Sequence, residues 1–251
     1  MNNFELKNFN QDSASQDFVI DEDRISSMSR SRTFSVLMRS VYTWMTLALL
    51  ITGFTSLYLV KNMALMQALL GSQMGVIGII VAQLAVVIIL SSRIDRMSFP
   101  VAGALFALYS ILTGVTFSSI FLVYTASSIA STFFITAGTF ASMSIIGYFT
   151  RKDLSSIGKY MMMALIGLII ATLVNMFMQS AMISWITSFV GVLVFVGLTA
   201  YDTQTIKDML RIHGTEVNEH TQKYALLGSL TLYLDFINLF LYLLRFMGRR
   251  D

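Results

Sequence analysis

Long apolar stretches alternate with short polar connections over residues 33–251. A helix needs ~20 mostly apolar residues to cross a hydrocarbon core. Seven stretches have about this length, and they lie near Val36–Val60, Gln73–Ser92, Val101–Thr125, Ser127–Thr150, Ile157–Met178, Met182–Ile206 and Tyr224–Phe246. The ten-residue alternation of a membrane barrel is missing. The pattern therefore predicts an all-α membrane protein, a bundle of seven transmembrane helices in a lipid bilayer, with Pro100 opening the third helix.

Residues 1–32 differ from the rest because they are rich in Ser, Asn and acidic residues and show little apolar periodicity. We expect a polar, mostly disordered N-terminal tail over residues 1–32 and a seven-helix transmembrane domain over residues 33–251. The tail lacks the basic start, apolar core and small-residue cleavage site of a secretory signal. The first apolar stretch is therefore expected to remain in the mature protein.

Composition narrows the function classes. The chain is 55% hydrophobic and only 12% charged, whereas soluble domains carry roughly 25% charged residues. It has no cysteine, and a net charge of +3 without a long basic run does not indicate nucleic-acid binding. The metalloprotease motif H-E-x-x-H, the G-x-S-x-G elbow and the P-loop motif are all missing from the sequence. We expect no enzyme, no cofactor and no nucleic-acid partner.

Lys and Arg residues alternate between the connections. They occur before the first helix and in the second, fourth and sixth loops, while the third and fifth loops have none and the first has only Lys61. Positive residues mark the cytoplasmic side. The alternation predicts a cytoplasmic N-terminus and, with seven spans, a C-terminus on the other side. The arginines of the last ten residues, Arg245, Arg249 and Arg250, oppose that placement.

The last apolar stretch is also the most polar. Thr231, Asp235 and Asn238 fall on one helical face by i, i+4 and i+3 spacing. An unpaired carboxylate at mid-bilayer costs at least ~2.5–3.5 kcal/mol. The seventh transmembrane helix is therefore expected at the centre of the bundle, with Thr231 and Asn238 supporting Asp235.

Two acids, Asp202 and Asp235, fall in apolar surroundings, where ionisable residues usually mark ion or proton pathways. Two carboxylates close together in a poor dielectric cannot easily both ionise, so a shared proton acts as a pH sensor or is displaced by a divalent cation. Spacing alone does not show that they meet, unless the sixth helix continues to Arg211 and ends near Gly214. The alternative is a purely structural carboxylate that ties two helices together.

Other polar residues have simpler interpretations. Arg93 and Arg96 either anchor the second helix on the cytoplasmic side or, for one of them, reach Asp202 as a counter-ion. The intramembrane amides of Gln83 and Asn175 are expected to join helices by hydrogen bonds, and the spacing of Gly138 and Ser142 predicts a close helix contact.

Several motifs resemble the Bax inhibitor-1 family, also called the transmembrane Bax inhibitor motif family. They include V-Y-T-W-M-T-L-A-L-L at Val41–Leu50, G-V-T-F-S at Gly114–Ser118, F-V-G-L-T-A-Y-D-T-Q-T-I-K ending at Lys207, and L-Y-L-D-F-I-N-L-F-L-Y-L-L-R at Leu232–Arg245. The resemblance covers everything after the polar tail and is greatest to bacterial inner-membrane members.

The resemblance implies a seven-helix bundle with a central last helix and a pH-sensitive calcium leak channel gated by paired aspartates. Those positions match Asp202 and Asp235, which would also contact the calcium ion. It further implies an arginine latch from the second helix, for which Arg93 matches best and Arg96 is the alternative. Two other functions remain open: an interaction protein that restrains a membrane-bound protease, and a proton-coupled carrier that uses the same aspartates.

Overall fold

The structure of the protein is a computed structural model that describes residues 3–214 and 216–249, with side chains from residue 31 onward. The described chain is helical and has no strand element. The helices are α1 (Asn3–Lys61), α2 (Met63–Leu70), α3 (Gln73–Arg93), α4 (Phe99–Ser118), α5 (Ala126–Phe149), α6 (Ser155–Met178), α7 (Ala181–His213) and α8 (Glu219–Met247). Short 3-10 segments, Ile94–Arg96 and Ser119–Leu122, extend α3 and α4.

Seven of the described helices are long and apolar enough to cross a membrane, namely all except the eight-residue α2. The apolar part of α1 begins at Ser31. Large hydrophobic side chains point away from the protein on these helices, such as Phe177 at 81% exposure and Phe134 at 73%. Such surfaces are unfavourable in water and suit lipid. The prediction of an all-α membrane protein with seven spans is confirmed.

The predicted tail over residues 1–32 lies largely where side chains are outside the described part of the structure, so its disorder stays a prediction. Arg250, one of the arginines that oppose the predicted orientation, also lies outside the described residues. The predicted helix start at Pro100 is confirmed, because Pro100 lies in the first turn of α4. The sixth span, predicted to end near Ile206, continues to His213 with Gly214 as its C-cap, which is the alternative that the sequence left open. The short helix α2 is a feature that the sequence analysis did not predict. It begins with Asn62, whose side chain accepts a hydrogen bond from the backbone of Leu65.

The last span, α8, is the most buried. Among its 18 most apolar consecutive residues 61% are buried, compared with 44% in the same length of α4 and 6% in that of α6. It packs against α1, α4, α5 and α7, and it supplies much of the hydrophobic core, including the fully buried Leu232, Tyr233 and Leu239. This is the environment expected for a central helix.

Helix contacts depend on small residues and amides. The amide of Gln83 donates to Thr116 Oγ1 on α4 at 3.2 Å, and that of Asn175 donates to Ser184 Oγ on α7 at 2.7 Å, so both predicted interhelical bonds are confirmed. The predicted contact at Gly138 is wrong, because nothing lies within 4 Å of a Cβ placed there. Gly147 makes the close approach instead, with its α-carbon against the carbonyl oxygen of Ala200 on α7. Both glycines are on α5, and the sequence spacing did not distinguish them.

Replacing Gly147 by alanine would place a methyl group against the backbone of α7, which cannot move aside without shifting a helix. We expect Gly147→Ala to destabilise the protein by about 1–3 kcal/mol, the usual range for overpacking. Gly138→Ala is the matched control on the same helix, and it should be neutral or stabilising because alanine favours helices. Thermal unfolding in detergent measures both. Equal midpoints for the two variants would contradict the close approach of α5 and α7.

Candidate functional site

The candidate site lies where α7 and α8 face each other. Asp202 on α7 and Asp235 on α8 have their carboxyl groups within hydrogen-bonding distance of each other. Asp235 is 4% exposed, and Asp202 is half-buried. The structure thus brings together the two acids whose meeting the sequence spacing left open.

The length of α7 explains this apposition. Because α7 continues to His213, Asp202 lies eleven residues, or ~16 Å, before the end of its helix instead of close to it. Asp235 lies sixteen residues, or ~24 Å, after the start of α8 at Glu219. Both carboxyl groups therefore lie within the helical part of the bundle, where Asp235 is buried and Asp202 is partly exposed.

The Oδ2 atom of Asp235 is buried and has no hydrogen-bond partner among the N–H and O–H groups of the described residues. A buried acceptor without a donor costs roughly 1–3 kcal/mol, and more when it is charged. A proton shared between the two carboxyl groups supplies a donor at this point and removes one of two facing charges. The pair therefore has a geometry in which one proton can be shared.

Thr231 and Asn238 do not bind Asp235. The Thr231 hydroxyl donates to Leu227 O at 3.2 Å, and the Asn238 amide donates to Leu234 O at 2.8 Å. Both side chains therefore hydrogen-bond to the backbone of their own helix. Both are half-buried. They share the polar face predicted from the sequence, but they leave the carboxyl pair without further donors.

A polar cluster that the sequence analysis missed lies next to Asp202. Thr203 Oγ1 donates to Ser144 Oγ on α5 at 3.3 Å, and the Tyr42 hydroxyl of α1 hydrogen-bonds with both side chains. Helices α1, α5 and α7 thus meet at Thr203, the residue after Asp202. The signal was present as hydroxyl residues within apolar stretches, but those residues occur throughout the chain.

A second cluster lies on another side of α8. Tyr233, which is fully buried, has its hydroxyl 2.6 Å from Thr52 Oγ1, and Thr52 also donates to Ser110 O on α4. One turn further along α1, Ser56 is 2% exposed, and its Oγ atom has no hydrogen-bond partner among the described residues. Ser56 and Thr52 line a cavity of about 110 Å³, which has room for water.

The middle of α7, two residues after Asp202, is fixed to the loop between α5 and α6. Gln204 accepts a hydrogen bond from Leu154 N at 2.8 Å and donates to Lys152 O at 2.9 Å. In this loop Asp153 accepts the backbone N–H of Ser155 at the start of α6, and the hydrogen bonds from Ser155 lower the pKa of its exposed carboxyl group. The glutamine of the Y-D-T-Q motif therefore positions the helix that carries Asp202.

Residues 34–251 match the family described as inhibitor of apoptosis-promoting Bax1. The chain is 53% identical over 213 residues to the inner membrane protein YbhL of Escherichia coli, which covers 85% of this chain and 91% of YbhL. It is 43% identical over 230 residues to a protein of Rickettsia prowazekii, which covers 90% of this chain and 96% of that protein. The chain belongs to the Bax inhibitor-1 family.

The family resemblance also implied an arginine latch. Arg93 and Arg96 are both exposed, and among the described residues neither forms an ion pair with Asp202. Among the described residues, the carboxylate of Asp95 lies 3.8 Å from His220 Nε2 instead, with both side chains more than half exposed. The latch is therefore not closed on the aspartate pair in this structure, and its assignment to Arg93 or Arg96 stays a prediction.

Two buried lysines occupy the same end of the bundle. Lys207 is 4% exposed and donates to the carbonyl oxygens of Gly147, Tyr148 and Thr150 at 3.0–3.5 Å. Lys223 is 8% exposed and donates to Asp95 O and Met97 O at 3.3 and 2.9 Å. Each ammonium group thus caps the end of a span, where the helix dipole and unpaired carbonyl groups favour a cation. The sequence analysis counted both lysines only as loop charges.

Removing the ammonium group of Lys207 would leave the end of α5 without its donor. We expect Lys207→Met to lower the free energy of unfolding by about 1.5–3 kcal/mol, because hydrogen bonds to a charged group are lost. Lys159→Met removes an exposed lysine on α6 at the same end and should change it little. Thermal unfolding in detergent compares the two variants. If Lys207→Met unfolds like the control, the cap contributes nothing to stability.

Proposed function

We propose that the protein is a pH-sensitive calcium leak channel in which the carboxyl pair Asp202–Asp235 is the gate. The observation that supports this most is the contact of the buried Asp235 carboxyl group with that of Asp202, together with an Oδ2 atom of Asp235 that has no donor among the described residues. Loss of a shared proton leaves two facing charges between α7 and α8. The resulting repulsion acts on the contact between the two helices and so links pH to their packing.

Calcium is the permeant ion in this proposal and not a resident cofactor. Calcium takes roughly six to eight oxygen ligands, more than two carboxyl groups supply. Among the described residues, no group of three or more His, Cys, Asp or Glu side chains could hold a metal ion. A pair of carboxylates fits weak, transient contact with a passing divalent cation, as conduction requires. The protein needs no catalytic group for this role, and we propose that it is not an enzyme.

The localisation that we propose is a bacterial inner membrane, because the relative YbhL is described as an inner membrane protein. We further propose that the N-terminus is cytoplasmic. The loops at residues 94–98, 150–154 and 214–218 then face the cytoplasm together with Lys207 and Lys223, in agreement with the positive-inside rule.

The carboxyl pair generates a prediction for flux. An asparagine amide donates to the facing carboxylate much as a protonated carboxyl group does. We therefore expect Asp202→Asn and Asp235→Asn each to hold calcium flux at the level that the wild-type protein shows at low pH, with the pH dependence flattened. The double variant should resemble the single variants because the pair is one unit. The measurement is calcium entry into liposomes that contain the purified protein, across a range of pH.

Asp208→Asn is the matched control for this experiment, since Asp208 is an exposed carboxylate six residues further along α7. It should keep the wild-type pH profile. Single variants of the pair that also keep it would show that the aspartates are structural. A pH-sensitive dye inside the same liposomes distinguishes a leak from a proton-coupled carrier, which would move protons in proportion to calcium.

The orientation generates a separate prediction. With seven spans, a reporter fused to the C-terminus should lie outside the cytoplasm, while one fused to the N-terminus should lie inside it. A fluorescent protein that matures only in the cytoplasm and a phosphatase that is active only outside it test both ends in opposite ways. Cytoplasmic fluorescence from the C-terminal fusion would mean that the proposed orientation is wrong.

A further inference from the structure

A long groove separates α1 from α5. The first helix packs on α4, α7 and α8, and α5 packs on α7 and α8, but α1 and α5 are not packed along each other. The gap between them has a volume of about 530 Å³, and Phe236 of α8 is among the residues that line it. No residue of the carboxyl pair lines it.

The shape of this groove suits an acyl chain. Its wall on α5 extends from Phe133 to Phe149, sixteen residues or ~24 Å along the helix axis. One leaflet contributes half of a hydrocarbon core of ~30 Å. Nearly all of the lining is apolar, with Met45, Leu49 and Ala137 among its walls. The groove is therefore longer than one leaflet is deep, so the whole of an acyl chain from one leaflet can lie within it.

One end of the groove carries a positive charge. A shallow pocket of about 410 Å³ contains Arg39 and shares Tyr42 and Thr46 with the groove. The hydroxyl groups of Thr43 and Thr46 donate to carbonyl oxygens of their own helix, which leaves the guanidinium group as the free donor of this pocket. Arg39 is exposed and forms no ion pair with any described residue. Its fork of N–H groups matches a phosphate.

The groove reaches its charged end near Phe149, the last residue of α5. This is the level at which the span ends and headgroups begin, so a lipid in the groove would carry its phosphate near Arg39. An occupant of this site must present a charged headgroup together with an apolar chain. An apolar helix of another protein offers the apolar surface without the charged group. The charge therefore favours a lipid over a second copy of the chain.

We propose that the groove between α1 and α5 is a binding site for an anionic phospholipid, with one acyl chain between the helices and the phosphate on Arg39. This inference does not depend on calcium conduction. The ligand class is a phosphate diester with a net negative headgroup, such as a phosphatidylglycerol. The site differs from the general lipid contact of a membrane protein because it selects a headgroup charge at one position.

The test measures bound lipid. The full chain is purified in mild detergent, incubated with equal amounts of phosphatidylglycerol and phosphatidylcholine, and analysed by native mass spectrometry. We expect the wild-type protein to retain one phosphatidylglycerol in preference to phosphatidylcholine. Arg39→Gln should reduce that preference roughly fivefold, the effect of the ~1 kcal/mol that one arginine contributes at an anionic surface. Lys159→Gln removes one charge from the same end of the bundle and should leave the preference unchanged.

A second pair of variants tests the groove itself. Ala137→Phe fills it, whereas Gly138→Phe adds the same ring at the next position, where a Cβ meets nothing within 4 Å. We expect Ala137→Phe to lose the retained lipid and Gly138→Phe to keep it. If Ala137→Phe does not give a monodisperse protein on gel filtration, Ala141→Leu serves in its place, because Ala141 lines the groove and is exposed.

Three results would overturn the proposal. Equal retention of the two lipids by the wild-type protein would exclude a charge-selective site. Equal retention by Ala137→Phe and Gly138→Phe would show that the retained lipid lies elsewhere. A dimer that is lost in Ala137→Phe, without any bound lipid in the wild-type protein, would assign the groove to a second copy of the chain.

Discussion

A buried carboxyl group that needs a partner inside the bilayer determines the arrangement of this bundle. Asp235 is on the last helix, is almost inaccessible, and has an oxygen that no N–H or O–H group of the described protein reaches. Only another carboxyl group, that of Asp202, faces it. Since an isolated charge in hydrocarbon is unfavourable, α8 has to lie against α7 and inside the other spans. The buried carboxyl group of Asp235 thus explains both the central position of α8 and its contact with Asp202.

The same requirement for partners holds the rest of α7 and α8 in place. The Tyr233 hydroxyl hydrogen-bonds with Thr52 of α1, and the Thr203 hydroxyl donates a hydrogen bond to Ser144 of α5. At the helix ends, Lys207 and Lys223 cap carbonyl groups that hydrocarbon would leave unpaired. The aspartate pair is therefore held between helices that are fixed at one end of the bundle, so a change in its charge acts on the contact between α7 and α8.

The groove between α1 and α5 lies close to this site without sharing its acids. Tyr42 belongs to both regions, since it lines the groove and hydrogen-bonds with Thr203, the residue after Asp202. Phe236, the residue after Asp235, also lines the groove. An occupant of the groove therefore touches Phe236, the neighbour of Asp235, and Tyr42, which hydrogen-bonds with the neighbour of Asp202.

The sequence by itself determined the number of spans, their approximate ends and the membrane class, because the length and apolarity of each stretch decide whether it can cross a bilayer. It also identified Asp202 and Asp235, since an acid in an apolar stretch stands out without any knowledge of its neighbours. Only the tertiary structure decided which residues meet. Gly147 and not Gly138 makes the close approach to α7, and Lys207 is a buried cap instead of a loop charge. Those outcomes depend on how far α7 continues and how the helices are rotated, which arise from packing across distant parts of the chain and leave no local pattern in the sequence.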